Sequence, residues 1–425
     1  MRHTAHVVIG ANYGDEGKGL MTDYHVAPAG RDGIVVRFNG GAQAGHTVVT
    51  PGGVRHVFSH VGSGTLAGAA TYLSRHFVCH PALFLKEADA LAASDVALPP
   101  VFVDERAPVS TLYDILVNQI VERQRGDGRH GSCGMGFGET IERNLDPEFA
   151  LTVADLRQGS GYLLHRLAAI RDDYVPRRLA ALGIPTPDAR SAEWLASDAA
   201  LQRFVHAAMQ FRRMTQSARP SVLRDSAQVV FEGAQGLLLD QERGDFPYVT
   251  RSHTGIRNAL DVAGEAGIET LAITYVTRAY LTRHGAGPLA RELADQPYPG
   301  IEDKTNVPNE FQGRLRFAHL DLDLLEQTIR TDFADALACP GIAATLNLAV
   351  SCLDQVGPSV TYREHGEPGT AAPAALAGQL ARRLDAGALY MAWGPSRDAV
   401  RITHPDNVPF MTAIQNNDVV KSLVF

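Results

Sequence analysis

Cysteine is scarce and scattered in this chain. Its four residues, Cys79, Cys133, Cys339 and Cys352, show no C-x-x-C spacing. That excludes a disulfide framework and a structural zinc site, and it fits a reduced, cytoplasmic setting. Long apolar runs are missing as well. None approaches the roughly 20 residues a membrane-spanning helix needs, and the first residues form no charged-then-apolar leader. Positive charge is not in excess either. The 39 Lys and Arg against 47 Asp and Glu leave a net charge of -8. With no long basic block, the chain does not read as a binder of nucleic acid or anionic membranes. A nucleotide needs only a local cationic pocket, so that class stays open. What is present is ordinary globular usage, 45% hydrophobic and 20% charged over 425 residues, enough to bury a large core.

The most informative stretch lies near the start. An apolar run, Ala5 to Ile9, leads into Gly10-Ala11-Asn12-Tyr13-Gly14-Asp15-Glu16-Gly17-Lys18-Gly19, and Leu20 to Val26 follows. This reads as a strand, a glycine-rich turn and a helix N-terminus. Exposed amides and the positive helix end favour an anion there, and Lys18 adds a point charge. The stretch is not a Walker A loop, because Asn12 replaces a glycine and Gly19 stands where a metal-binding Ser or Thr belongs. Asp15 is the oddity. A carboxylate beside phosphate must hold a metal, orient a substrate or move a proton.

A second unit repeats the pattern. The strand-like Gly33 to Phe38 empties into Asn39-Gly40-Gly41-Ala42-Gln43-Ala44-Gly45-His46-Thr47. Two glycine loops at strand ends place backbone amides where ligands bind in open α/β sheets. Residues 51–125 read as supporting structure, with a helix around Ala82 to Leu91. Residues 154–219, rich in Ala, Leu and Arg at helical spacing, read as a helical subdomain, with Arg171, Asp172, Asp173, Arg177 and Arg178 on a solvated face.

Taken together, Gly14–Gly19 and Gly40–Thr47 closely resemble the adenylosuccinate synthetase family, whose loop GDEGKGK precedes a segment GGxNAGHT at similar spacing. The resemblance continues along most of the chain. Glu232-Gly233-Ala234-Gln235-Gly236 with Asp245 to Thr250 matches EGAQG…YPYVTSS, and Tyr280 to Pro288 matches YxTRVGAGP, with His284 where valine is usual. Departures are equally specific. Gly131-Ser132-Cys133-Gly134-Met135-Gly136 stands where the family has GTTGRG. No arginine appears in Asn144–Phe149 to match the one the family sends to a partner's nucleotide, and Arg251 would restore some of its charge. Asn309-Glu310-Phe311-Gln312-Gly313-Arg314-Leu315-Arg316 corresponds to the aspartate loop TTGRxRR. Ser351-Cys352-Leu353-Asp354 corresponds to the guanine-reading TKLD, and Ala392-Trp393-Gly394-Pro395 to STGP.

The resemblance implies one α/β domain over residues 1–425, with a large, mostly parallel central sheet, a P-loop-like loop and a helical insertion, acting as a homodimer. It implies a ligase joining L-aspartate to C6 of a purine nucleoside monophosphate, IMP, driven by GTP with Mg²⁺. Asp15, His46 and Lys18 would be catalytic. Gly14, Glu16, Gly17, Lys18, Gly19, Asp354, Trp393 and Gly394 would take the triphosphate. Gln43, Ser132, Cys133, Gln235, Leu239, Thr250 and Arg314 would take the purine monophosphate; Gly313, Arg314 and Arg316 the aspartate; Asp15 and Gly45 the metal. The alternatives are a relative acting on dGMP, with ATP or GTP as donor, or a non-catalytic nucleotide-binding homologue. Retention of Asp15, where the phage branch of the family has serine, favours IMP over dGMP. Retention of Asp15, Lys18 and His46 disfavours a silent homologue. A GTPase switch is disfavoured because Asp354 lacks its partner lysine.

Overall fold

The computed structural model describes residues 4–303, 305 and 313–408. Its frame is a ten-stranded sheet. From one edge to the other the strands are Val400–Thr403, Leu389–Ala392, Ala343–Ser351, Thr270–Arg278, Thr4–Gly10, Gln228–Gly236, Gly33–Arg37, Ala70–Leu73, Val101–Val103 and Gln216–Ser217. Every pairing is parallel except the antiparallel one between Leu389–Ala392 and Val400–Thr403. Parallel sheets are covered on both faces, so their strands run as continuous apolar stretches. The buried Val7, Val8 and Ile9 and the buried Ile34, Val35 and Val36 show this.

The expected opening strand spans Thr4–Gly10, and the helix begins at Lys18, slightly earlier than the apolar pattern suggests, running to Val26. Gly17 caps it with φ 93°, a conformation that side chains disfavour. The helix expected near Ala82 spans Pro81–Ala92, with proline at its first turn. A four-stranded sheet, Tyr280–Arg283, Arg316–Asp321, Val360–Glu364 and Glu367–Ala371, stands beside the main one. His46–Val49 and Arg55–Phe58 form a separate hairpin.

The helical stretch contains Ser160–Ala169, Val175–Ala181, Ala189–Leu195 and Asp198–Met214. It does not keep a core of its own. Leu163, Leu167, Phe204 and Phe211 pack in one cluster with Phe84 and Leu91 of Pro81–Ala92 and Val117 of Leu112–Arg125. On its charged face Asp172, Asp173 and Arg177 are exposed as expected, while Arg171 and Arg178 are half-buried in ion pairs. Arg178 pairs with Glu139 at 2.8 Å, and Arg171 bridges Asp172 and Asp198.

Candidate functional site

Three loops meet where Thr4–Gly10, Gln228–Gly236 and Gly33–Arg37 end side by side at the centre of the sheet. Leu238 N donates to Asn12 O at 2.9 Å, joining the first loop to the third. Asn39 joins the second to the third, its Oδ1 accepting from Ala234 N at 2.7 Å and its Nδ2 donating to His253 O at 3.1 Å. The hairpin carrying His46 lies against the opening helix at Gly19. A Cβ there would come within 2.7 Å of Thr47 O and 3.2 Å of His46 Cβ. This contact explains why Gly19 cannot be the Ser or Thr of a Walker loop, and it places His46 against the helix turn that follows Asp15.

His46 is buried, and its Nδ1 lies 2.7 Å from Glu232 Oε1. Glu232 also accepts from Ser63 N at 3.1 Å and from the Ser63 hydroxyl, with Arg37 Nη1 3.8 Å away. Burial alone would raise the Glu232 carboxyl; His46, Arg37 and Ser63 outweigh it and hold it at about 2. An ionised carboxylate only accepts, so the proton sits on Nδ1 of His46. Burial, with Arg37 and Lys18, lowers the imidazole against the pull of Glu232. Nε2 is buried without a hydrogen-bond partner among the described residues, which leaves it for a ligand. The Nε2 atom accepts in the neutral ring and donates once the ring is protonated.

Asp15 has φ 59°, and its carbonyl accepts from Arg278 Nε. Its Oδ2 lies 3.3 Å from His284 Nε2, and its side chain is 28% exposed. Burial works against its charge, but His284, Arg278 and Lys18 prevail and hold it below the usual carboxylate range.

Glu16 requires a correction. Its carboxylate points inward, where Oε1 accepts from Asn12 N at 2.6 Å and Gly14 N at 3.1 Å and Oε2 pairs with Lys18 Nζ at 3.3 Å. The Glu16 side chain therefore shapes the loop and pairs with Lys18 instead of facing a phosphate. Two of the amides expected to receive an anion are already satisfied by it. Lys18 itself is buried.

Gln43 Nε2 is buried and unpartnered among the described residues. Gln235, with φ 65°, packs beside Gly14. Thr250 N donates to Leu239 O at 2.8 Å, which draws the Asp245–Thr250 stretch onto the third loop. Ser132 Oγ donates to Asn118 Oδ1 at 2.9 Å and accepts from Gly134 N. Cys133 is a poor replacement for a hydroxyl, and burial pushes its thiol up to about 11. Arg251 does not supply a loose positive charge; it lies over Gly138 and pairs with Glu142.

The other two subsites are looser. Arg314 and Gly313 are exposed. Arg316 is not a free clamp, because it holds Glu292 and donates to Gly285 O and Gly287 O, both at 2.9 Å. The Asn309–Gln312 part of the aspartate loop lies outside the described residues. Asp354 is exposed at a turn that Leu353 N ties to Ala392 O at 3.1 Å, so it stands beside Trp393 and Gly394. Ser351 Oγ donates to Glu16 O at 2.8 Å and connects this turn to the first loop. Trp393 packs partly against the main core, which limits the flat face expected of it.

Among the described residues no cluster of three metal-ligating side chains exists. Magnesium takes hard oxygen donors and keeps much of its water and phosphate shell. The partly exposed Asp15 carboxylate and the carbonyl of exposed Gly45 are donors of that kind.

Sequence reasoning passed over Glu232, although it opens a motif that reasoning used. The signal was a carboxylate ending a wholly apolar strand run. His284 was noted only as a departure, yet it touches Asp15.

Comparison with known proteins agrees with this geometry. Residues 7–383 match the family model described as adenylosuccinate synthetase. Adenylosuccinate synthetase of Clostridium botulinum (strain 657 / Type Ba4) is 30% identical over 383 residues, 88% of this chain and 84% of the relative. That of Mycobacterium leprae is 31% identical over 292 residues, 68% and 65% of the two chains. Among solved structures, fully ligated adenylosuccinate synthetase from Plasmodium falciparum superposes with TM-score 0.68 at 18% identity, covering 94% of this chain and 99% of that one. The cyanophage S-2L succinoaminodeoxyadenylate synthetase, bound to dGMP and to dATP as energy donor, gives TM-score 0.52 at 18% identity, covering 95% and 96%. These last two likenesses speak to the fold. The family match across most of the chain and the loops gathered around Asp15 and His46 place this protein in the adenylosuccinate synthetase family of C–N bond-forming ligases.

Proposed function

We propose that the chain joins L-aspartate to C6 of IMP at the expense of GTP, in purine nucleotide synthesis, as a homodimer. One observation carries the reading. The two loops that bear Asp15 and His46 are pressed together at Gly19, and Nε2 of His46, unpartnered among the described residues, is left beside them.

The chemistry follows from those groups. A purine 6-oxo group leaves poorly and must be activated by phosphorylation before an amine displaces it. Asp15, held as a carboxylate, takes the N1 proton and makes O6 nucleophilic. His46, fixed by Glu232, hydrogen-bonds through Nε2 to the γ-phosphate or the 6-oxygen and stabilises the departure of that oxygen with phosphate. Lys18 adds positive potential from beneath the loop. Mg²⁺ held by Asp15 and Gly45 would supply charge neutralisation for the triphosphate. Arg314, exposed in the segment that corresponds to the aspartate loop, is the group for the aspartate carboxylates. Asp354 suits the N1 and N2 donors of guanine, which favours GTP over ATP.

The test is phosphate release measured with IMP, dIMP, GMP or dGMP, with GTP or ATP, and with or without aspartate. Release that requires both the purine monophosphate and aspartate supports a ligase. Triphosphate hydrolysis without either would refute it. Sedimentation of the purified chain reads the homodimer.

A further inference from the structure

Asp332 is a buried carboxylate that the reaction above leaves without a role. It lies within the helix Leu322–Leu337, 2% exposed, between the buried apolar Ile329 and Ala336. Its oxygens face the stretch that follows the third glycine loop. Both accept from Ile256 N at 3.1 Å, Oδ1 also accepts from Arg243 Nη1 at 3.3 Å, and Oδ2 accepts from the Tyr275 hydroxyl at 2.9 Å. The approach requires glycine alongside, because a Cβ on Gly255 would lie 1.9 Å from Oδ1. Arg243 and Ile256 bracket the stretch that carries Thr250. Asp240 closes the same stretch from inside, accepting from Arg243 N at 3.3 Å and Thr254 N at 2.8 Å. The groups around Asp332 that titrate or carry charge are Arg243 from that stretch, Tyr275 from the strand Thr270–Arg278 and Asp335 one turn along its own helix. Asp335 pairs with Arg243 at 2.7 Å and with Arg257 at 2.9 Å, and Arg257 reaches Glu242 beyond it.

We propose that Asp332 is a positioning residue for the purine monophosphate, clasping both ends of the Arg243–Ile256 stretch and holding Thr250 in place while its carboxylate is ionised, an inference resting on the ligase reading above. Ionised, the group accepts at both oxygens and supplies the counter-charge for Arg243. Protonated, it loses that charge, and one oxygen becomes a donor that neither Ile256 N nor Arg243 can accept. Arg243 is then left to Asp335, and the two ends of the stretch no longer share one anchor. Burial, with Asp335, pushes the Asp332 carboxyl up to about 6 against the hydrogen bonds from Ile256 and Tyr275 and the charge of Arg243. The clasp therefore opens just below neutral pH. Folding raises this carboxyl from 3.8, so its contribution to stability is greatest below pH 3.8 and is lost as the pH rises through 6. At neutral pH the ionised clasp weakens the fold, which is the mark of a group kept for position instead of stability.

The experiment compares wild type and Asp332→Asn in the full chain, at about pH 8 and about pH 5.5. It measures KM for IMP, or for GMP if IMP is not turned over, by aspartate-dependent phosphate release, with thermal unfolding alongside. Asparagine keeps the shape and still accepts from Ile256, but it carries no charge for Arg243 at any pH. Taking the ratio of variant to wild-type KM cancels the titration of the nucleotide phosphate and of His46. That ratio should be about fivefold near pH 8, the low end for coupling between two sites, and close to one near pH 5.5. The KM for GTP should hardly move, and the unfolding temperature near pH 8 should not fall. Arg243→Gln, which opens the clasp from the other side, should reproduce the raised KM near pH 8 and gives the reading if Asp332→Asn does not fold. A ratio near one at the higher pH, a ratio that persists at the lower pH, or a raised KM that comes with a lower unfolding temperature overturns the inference while leaving the ligase reading standing. Absence of aspartate-dependent release with either nucleotide overturns both.

Discussion

The floor of the cleft and its rim are built differently. On the floor, Asp15, Lys18 and His46 each have an opposite or complementary partner: His284 and Arg278, Glu16, and Glu232. Glu232 and Arg278 lie in central parallel strands, and Asp15, Lys18 and His46 lie on the loop, helix start and hairpin packed against them. On the rim, Arg314 and Asp354 are exposed. Groups that must meet a reacting atom within hydrogen-bond distance are preorganised by burial. Groups that recognise the variable ends of substrates sit on turns, where substitution costs the fold little. The departures from the family pattern follow that division. The Asp15, Lys18 and His46 positions are kept and changes fall at Cys133, Met135, Cys352 and Trp393, with His284 beside Asp15 as the one departure on the floor named above.

Substitution on the floor should break the comparison most strongly. Asp15→Ala or His46→Ala is expected to lower ligase turnover by roughly 10²–10⁴-fold, the range for a lost acid–base group; Asp15→Ala should leave the unfolding temperature unchanged, whereas His46→Ala should lower it, because it strips a partner from buried Glu232. Near-wild-type rates would remove both residues from the reaction. Glu232→Gln should reduce turnover as well and also destabilise the fold by about 3–5 kcal/mol, because it leaves Arg37 buried without its anion.

That second effect carries a pH signature. Folding depresses the Glu232 carboxyl from 4.5 to about 2. Its contribution is therefore fully present above pH 4.5 and lost as the pH falls toward 2. The stability gap between wild type and Glu232→Gln, read by chemical denaturation, should shrink between pH 6 and pH 3. A gap that widens on acidification contradicts the ion-pair account.

The rim predicts milder and more separable effects. Arg314→Ala should raise the KM for aspartate about tenfold, as loss of a charge-assisted bond does, and leave stability alone. Arg316→Ala should lower the unfolding temperature in addition, since its guanidinium braces Gly285 and Gly287. Indistinguishable variants would mean that Arg316 is as free as Arg314. Back on the floor, Gly19→Ala should act on stability. Its methyl group would press on Thr47 O, and overpacking of this kind costs about 1–3 kcal/mol. Thermal unfolding reads it directly.

The local signals were legible without coordinates. Apolar β-branched runs announced the strands Thr4–Gly10 and Gly33–Arg37, and glycine-rich turns announced the loops that follow them. Helical spacing announced the Ala- and Leu-rich insertion, because period and turn chemistry are properties of neighbouring residues. The insertion's sharing of a core with Pro81–Ala92 was not legible, since periodicity says which face is apolar but not what covers it. Nor was the company each charge keeps. Glu16 looked like a phosphate-side residue until the fold turned it onto Asn12 and Gly14, and Arg316 looked like a clamp until it was seen holding Gly285. Glu232 and His46 lie 186 positions apart, and His284 and Asp15 lie 269 apart, 284 minus 15. The sequence by itself determined which chemical groups the protein owns and which local shapes carry them. Only the tertiary structure decided which groups are buried together, and burial is what sets the protonation, orientation and availability of each.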